Sequence, residues 1–255
     1  MVEANILQPL IDVVNSVLKF FHDNAGLSWG MSIIALTILT RAILIPLTYR
    51  QLKGMRALQV LQPQIKEIQA KFKNDKQRMQ QEMMRFYQEN KVNPFASCIP
   101  LIAQLPVFIT LFYVLRHELP PDMGCPEAGH CAAYGAEFFF INDLTAKATG
   151  AELITLIVLY VGTQLASGYF MSITADKSQR TMMFVLPLVF VPFILSFPAG
   201  LILYWITTNF WTIGQQFVIQ KIIPAPVAAT PAGAMAVQAA KAPPPPPKKK
   251  KKRRR

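Results

Sequence analysis

An arginine stands inside the first long apolar run of the chain. Residues 29–49 are predominantly apolar and long enough for a helix to cross a hydrocarbon core of about 30 Å, and Arg41 lies near the middle. About eight residues, or about 12 Å of helical rise, separate it from the basic residues that follow. An arginine stem covers only about half of that distance, so snorkelling to the interface is the weaker alternative. Because a buried cation is costly, we expect Arg41 to face water, a protein partner or a substrate.

Further polar side chains stand in the apolar runs. Thr37 precedes Arg41 by one helical turn and shares its face, while Gln104 and Gln164 bring amides that need partners. Apart from Glu152 at an edge, the apolar runs contain no carboxylate to neutralise Arg41, which disfavours an ion-coupled transporter. No protease motif is present, and we expect no catalytic residue, metal or cofactor. The pattern predicts a hydrated, positively charged pocket that attracts polar or acidic peptide segments.

The composition and the apolar runs predict an all-α polytopic membrane protein. The chain is 52% hydrophobic and only 16% charged, which is typical of membrane proteins. Residues 1–27 carry an apolar stripe at helical spacing, and we expect this amphipathic helix to lie on the outer membrane surface. The five predicted spans of the core, residues 28–223, lie at about 29–49, 95–115, 151–173, 182–197 and 201–223.

A basic segment follows the first span. In residues 50–92 apolar side chains recur every three or four positions, which predicts two amphipathic helices forming a cytoplasmic hairpin. Asp75 stands at the break between them and can cap the second helix. Met79 and Met83 lie on that second helix. Mutual packing of the two stripes explains most of these residues, and the methionines could also provide an adaptable docking surface.

The charge distribution predicts the topology. The net charge of +12 comes mostly from the hairpin and the last eight residues, whereas the loop at 116–150 is acidic. Loops rich in Lys and Arg stay in the cytoplasm, so five spans place the N-terminus outside and the C-terminus in the cytoplasm. Cys125 and Cys131 share the outer loop. The oxidising outer face permits a disulfide between them, but the sequence leaves its formation open.

Residues 224–255 are rich in Pro and Ala and then strongly basic, so we expect a disordered cytoplasmic tail. Its basic cluster binds either ribosomal RNA or anionic lipid headgroups, and the sequence does not decide between them. The cluster consists of Lys248, Lys249, Lys250, Lys251, Lys252, Arg253, Arg254 and Arg255.

Four stretches of the chain resemble the YidC/Oxa/Alb family of membrane protein insertases, and most closely its bacterial YidC branch. They are TRAILIPLTYRQLKGMRALQVLQPQIKEIQAKF, DKQRMQQEMMRFYQENKVNPF, IPLIAQLPVFITLFYVL and FPAGLILYWITTN, within a resemblance that covers about residues 29–223. The resemblance implies five core spans, a cytoplasmic hairpin and a hydrophilic groove open to the cytoplasm and lipid. It further implies insertion and folding of nascent membrane proteins in the bacterial inner membrane, alone or beside the Sec translocon, without a cofactor or chemical catalysis.

The resemblance also assigns roles by position. Arg41 matches the groove arginine of the family, and Thr37 matches the groove threonine one turn before it. Trp205 falls where the family has an aromatic residue that contacts the substrate. Gln104 and Gln164 resemble groove-lining amides.

Other features of the chain extend or depart from the family pattern. The hairpin stretch that begins at Asp75 matches the part that the family needs for function or docking. The chain lacks the extra N-terminal span and large periplasmic domain of Gram-negative members, so it is either a minimal branch or has a trimmed N-terminus. Two alternative functions stay open. One is a small-solute transporter, which repeat symmetry or a membrane carboxylate would favour; the other is a membrane scaffold that binds ribosomes through its tail.

Overall fold

The computed structural model describes residues 7–90, 92, 99–172 and 177–222, and this part of the chain is mostly helical. Its only extended pairings are isolated bridges, 138 with 141 and 147 with 198, so the predicted all-α class is confirmed for the described chain. The helices are α1 Gln8–Lys19, α2 Trp29–Ile43, α3 Ile45–Lys71, α4 Lys76–Glu89, α5 Ile99–Tyr113, α6 Leu119–Asp122, α7 Gly150–Ser172, α8 Lys177–Ile194 and α9 Ala199–Ile222. Two π-helical turns, Phe20–Asn24 and Val114–Glu118, extend α1 and α5.

Two continuous helical segments are long and apolar enough to cross a membrane, judged by length and composition over the described residues. They are Ile102–Asp122 and Gly150–Tyr169, and Trp29–Ile43 is a shorter apolar helix. α8 begins at Lys177, five residues before the predicted start of the fourth span at 182. The starts and ends of several predicted spans, at 95–98, 173 and 223, lie outside the described residues. The count of five spans therefore stays a prediction.

The first predicted span is not one uninterrupted helix. α2 ends at Ile43, Leu44 forms a turn, and α3 begins at Ile45 with Pro46 in its first turn. Proline has no N–H to continue the helical hydrogen bonds, and its ring crowds the carbonyl four residues earlier, so the chain restarts the helix there. Thr48 supports the restart, because its hydroxyl donates to Leu44 O at 3.1 Å and to Ile45 O at 3.0 Å.

Helix α9 lies at the centre of the bundle. It packs most extensively against α7 and α2 and also contacts α5, while α8 packs on α7. Leucine, isoleucine and aromatic side chains fill the interior, with Leu36, Leu115 and Leu156 fully or almost fully buried. Burying this apolar surface holds α2, α5 and α7 against α9.

The apolar stripe of α1 is covered by protein. Ile11, Val14 and Leu18 are buried where α1 packs on α2 and α5, so the face that the sequence assigns to the membrane surface belongs to the core. At the end of α1 the Lys19 ammonium pairs with the Asp122 carboxylate at 2.8 Å. An amphipathic pattern identifies the buried face but not what covers it, since lipid and a protein interior are both apolar.

Helices α3 and α4 form the hairpin of this structure. A short turn joins them, and the Asp75 carboxylate caps α4 by accepting a hydrogen bond from Arg78 N at 3.0 Å. Met79 and Met83 are half-buried, whereas Met84 is exposed. Both helices contact each other and α4 contacts no other element substantially within the described chain. The cytoplasmic position of the hairpin stays a prediction.

The outer loop, residues 116–150, closes one end of the bundle. Cys125 and Cys131 form a disulfide. The ring of Phe138 lies directly over Gly30 of α2, in space that any larger side chain at Gly30 would occupy. The end of the loop is also tied to α9, because Ala199 N donates to the carbonyl of residue 146 at 2.7 Å. The predicted tail, 224–255, with its basic cluster at 248–255, lies outside the described residues.

Candidate functional site

Trp205 lies half-buried in an aromatic cluster between α9 and α5. Its indole stacks on the Phe108 ring with centroids 5.0 Å apart and an interplanar angle of 19°. Phe112, one turn further along α5, meets Phe197, which precedes α9 in the chain, at 5.6 Å. These pairs advance in opposite directions along the two segments, so α5 runs antiparallel to α9.

Helix α7 runs parallel to α9. Tyr160 lies 5.9 Å from Trp205 between ring centroids, and one turn further along both helices Asn209 Nδ2 donates to Thr163 Oγ1 at 3.1 Å. The Thr163 hydroxyl donates in turn to the carbonyl oxygens of its own helix. Asn209 and Thr163 are both buried, so this hydrogen bond fixes the register of two membrane-length helices.

The two predicted glutamines lie at one level of the bundle. Gln104 precedes Phe108 by four residues and Gln164 follows Tyr160 by four, so each shares the face of an aromatic residue that contacts Trp205. Because α5 and α7 run in opposite directions, going from Phe108 back to Gln104 and from Tyr160 on to Gln164 both lead away from the outer loop. Both amides are half-buried, and neither forms a hydrogen bond with a described residue. We call these two residues the polar layer, since each lies one helical turn from the aromatic cluster on the side away from the outer loop.

Arg41 lies on α2, which packs directly against α9. It is half-buried in the last turn of α2 and lies near Tyr204, which is 1% exposed and adjacent to Trp205. Further along, Gln215 Nε2 of α9 donates to Thr48 Oγ1 at 2.8 Å, so this part of the chain runs parallel to α9. Among the described residues no carboxylate pairs with the Arg41 guanidinium, and it makes no hydrogen bond there.

Thr37 has a different environment from the other predicted site residues. It is fully buried, and its hydroxyl donates to Ile33 O at 2.7 Å, the usual arrangement for a threonine in a membrane helix. Its predicted contact with substrate stays a prediction and requires the hydroxyl to leave this bond. Asp75, Met79 and Met83 lie on the hairpin and are not brought into the polar layer.

Tyr204 is the site residue that sequence reasoning did not select. Tyr204 stands beside Trp205, and its position one turn before Thr208 continues a polar stripe along α9 that ends near Gln216. That stripe is readable in the sequence as polar residues three to five positions apart. The described part of the chain contains no group of three or more His, Cys, Asp or Glu side chains that could hold a metal ion.

The groups brought together here are ones that bind polar peptide segments in general. Within the described residues the site combines a cation that has no carboxylate partner, two amides that make no hydrogen bond, and an aromatic cluster in an apolar bundle. Such groups stabilise a polar segment that would otherwise lose its hydrogen bonds with water, at a cost of several kcal/mol per group.

Comparison with known proteins identifies the family. The model of the 60Kd inner membrane protein family matches residues 20–226. The chain belongs to this family. Two relatives, both named membrane protein insertase YidC, are similar to it. The one from Streptomyces avermitilis is 37% identical over 82% of this chain and 55% of its own length, and the one from Wigglesworthia glossinidia brevipalpis is 38% identical over 85% and 37%. The resemblance to YidC seen in the sequence is therefore confirmed.

The fold of the family is confirmed as well. A crystal structure of an active YidC insertase, with its first transmembrane domain resolved, superposes with a TM-score of 0.65 at 23% identity. The superposition covers 84% of this chain and 47% of the YidC chain. This chain thus spans between about a third and about half of the length of the YidC proteins that it matches.

Proposed function

We propose that this chain is an insertase of the bacterial inner membrane, which inserts newly made integral membrane proteins and helps them fold. The observation that carries the proposal is the half-buried Arg41, which lies beside Tyr204 without a described carboxylate partner. A cation is energetically costly to hold in an apolar bundle, so its presence there marks a functional position. Membership of a family whose relatives are named insertases supports the same reading.

The mechanism uses two different surfaces. Arg41 attracts the polar or acidic part of the substrate into the polar layer, where Gln104 and Gln164 satisfy its backbone and Trp205 contacts its side chains. The apolar part of the substrate lies against the exposed apolar sides of α5 and α8, which include Ile102 at 65% exposure. The substrate span then moves along this side into lipid, where its own helical hydrogen bonds satisfy its backbone.

The remaining parts receive and orient the substrate. In this proposal five spans place the N-terminus outside, and the α3–α4 hairpin and the basic tail, residues 248–255, lie in the cytoplasm. The hairpin receives the nascent chain, and the tail recruits the ribosome or anionic lipid. The chain acts alone or with the Sec translocon as a partner. The chain acts by binding its substrate and transferring it into the bilayer, with no chemical catalysis and no cofactor.

Substituting Arg41 tests the proposal. The full chain in proteoliposomes is given a single-span substrate with an acidic N-terminal segment and a matched substrate with a neutral segment. We expect R41A to slow insertion of the acidic substrate about tenfold or more, since hydrogen bonds to charged groups contribute about 1.5–3 kcal/mol. R41K, which keeps the charge, should retain most of the activity. Equal losses for both substrates, or none for either, would contradict the role of Arg41.

A further inference from the structure

A second cavity lies at the end of the bundle that the outer loop closes. It has a volume of about 320 Å³, near the lower end of the range of about 300–1,000 Å³ for small-molecule sites. Three segments line it: the π-helical turn after α5, the outer loop, and the turn between α8 and α9. The residues that matter here are Arg116, Gly129, Thr145, Lys147, Ser196 and Pro198.

The charge of this cavity is positive. Arg116 and Lys147 line it and no carboxylate does, and neither cation pairs with a carboxylate in the described chain. Glu127, elsewhere in the loop, pairs with His130 at 3.3 Å. Glu118 is close to Arg116 in sequence but does not line the cavity. The cavity therefore has two cationic groups available to an anion.

The nearest buried carboxylate is already engaged. Asp143 lies behind Thr145, where its Oδ1 accepts from the Thr145 hydroxyl at 2.6 Å and its Oδ2 accepts from Cys131 N at 2.7 Å. The Thr145 hydroxyl oxygen accepts from Gly129 N at 2.9 Å. These bonds hold the cavity wall in place and turn the carboxylate oxygens toward the loop interior.

The Arg116 side chain and the backbone of Lys147 are also held in position. The Arg116 guanidinium lies over the Phe112 ring, 5.4 Å from its centroid, which fixes the side chain at the end of an apolar helix. Lys147 forms an isolated bridge with Pro198, next to the hydrogen bond from Ala199 N to the outer loop. The cavity is thus built on backbone that is tied to two helices.

The surroundings of the cavity indicate where its anion comes from. Phe193 and Leu195, at the end of α8 next to the lining residue Ser196, are 51% and 43% exposed. Exposed apolar side chains at the end of a membrane helix can contact lipid tails, and Arg and Lys bind phosphate by charge and hydrogen bonding. An anion in the cavity would have exposed apolar side chains directly beside it, suited to acyl chains.

We propose that this cavity binds the phosphate group of an anionic phospholipid headgroup, held by Arg116 and Lys147, with its acyl chains along the end of α8. The bound lipid would fasten the outer loop to the membrane interface. The inference is independent of the insertion mechanism, because it uses neither Arg41 nor the polar layer.

Photocrosslinking tests this site. The full chain, with a photoreactive amino acid at Ser196, is placed in bilayers of phosphatidylcholine with or without phosphatidylglycerol, and lipid adducts are identified by mass spectrometry. We expect phosphatidylglycerol adducts in excess of its share of the bilayer. Each of R116Q and K147Q should lower them about fivefold, and the double variant about thirtyfold, from the usual contribution of a cation near an anionic membrane.

Two controls complete the experiment. K71Q, which removes an exposed cation on the hairpin, should leave the adducts unchanged, and all variants should elute as the same monodisperse species. Adducts in proportion to bulk lipid, or unchanged in the double variant, would overturn the proposal. In a further measurement, excess soluble glycerol phosphate is added during photocrosslinking. Loss of the lipid adduct in its presence would overturn the lipid source in favour of a free phosphate compound, whereas persistence of the adduct supports the lipid.

Discussion

Replacing Gly200 by alanine should destabilise the junction between the outer loop and α9. A Cβ at this position would lie 2.9 Å from Leu144 O, 3.1 Å from Leu115 Cδ2 and 3.2 Å from Ile33 Cδ1. The carbonyl oxygen cannot retreat easily, because it accepts a hydrogen bond from Gly200 N at 2.9 Å. Backbone of the loop, a side chain of the helix before it and a side chain of α2 therefore all limit the space.

The contacts allow the size of the effect to be worked out. Overpacking of this kind costs about 1–3 kcal/mol, and weakening the hydrogen bond between residues 200 and 144 adds about 0.5–1.5 kcal/mol. The better helix propensity of alanine offsets about 1 kcal/mol. The expected net loss in the free energy of unfolding is about 2 kcal/mol.

Gly214 supplies a matched control in the same helix. A Cβ there meets no atom within 4 Å, so G214A should be neutral or stabilising by up to about 1 kcal/mol. Unfolding by SDS in mixed micelles, followed by circular dichroism, compares the two variants with the parent chain. Equal midpoints for G200A and G214A would refute the packing described for the outer loop.

Two further predictions concern contacts between helices. A double-mutant cycle of N209L and T163V, measured by the same unfolding assay, should give a coupling energy of about 0.6 kcal/mol and at most about 1.7 kcal/mol. These are the values found for hydrogen bonds between membrane helices. A coupling energy of zero would contradict the hydrogen bond between Asn209 and Thr163. The hydrogen bond and charge of Asp122 raise the pKa of Lys19 above its ordinary value of 10.5. The ion pair therefore stabilises the docking of α1 fully below pH 10.5 and loses this effect as the pH rises through the raised value. Energy transfer between dyes on α1 and α6 should fall over that pH range in the parent chain but not in D122N. An identical pH dependence in both chains would contradict the assignment. Because the ion pair is solvent-accessible, its contribution to the docking of α1 should stay below about 1 kcal/mol.

The charged group of the site could be predicted from the sequence, but its neighbour could not. Arg41 is conspicuous because a cation in an apolar run violates the hydropathy pattern. Tyr204 violates nothing, since tyrosine is common in membrane helices, and only the packing of α2 on α9 brings it to Arg41. The level shared by Gln104 and Gln164 likewise depends on the opposite directions of α5 and α7, which residue spacing within one helix does not report.

An apolar pattern in the sequence also does not report where a helix is interrupted or which partner covers its apolar face. The run at 29–49 reads as one span, although Pro46 is present, because hydropathy does not register a missing N–H donor. In α1, spacing identifies the face of Ile11 and Leu18 correctly, but the same stripe suits lipid or protein. Asp75 is readable as a cap because capping depends on residues only three positions apart.

Site-specific photocrosslinking to a ribosome-stalled single-span substrate tests the central claim most directly. A photoreactive amino acid is placed at Trp205 or Gln164, in the aromatic cluster and the polar layer, and at Val158 of α7, which is 64% exposed on the outside of the bundle. The account predicts substrate adducts from Trp205 and Gln164 and none from Val158. Insertion that proceeds without adducts at Trp205 and Gln164 would contradict it, because the substrate would then cross the membrane elsewhere.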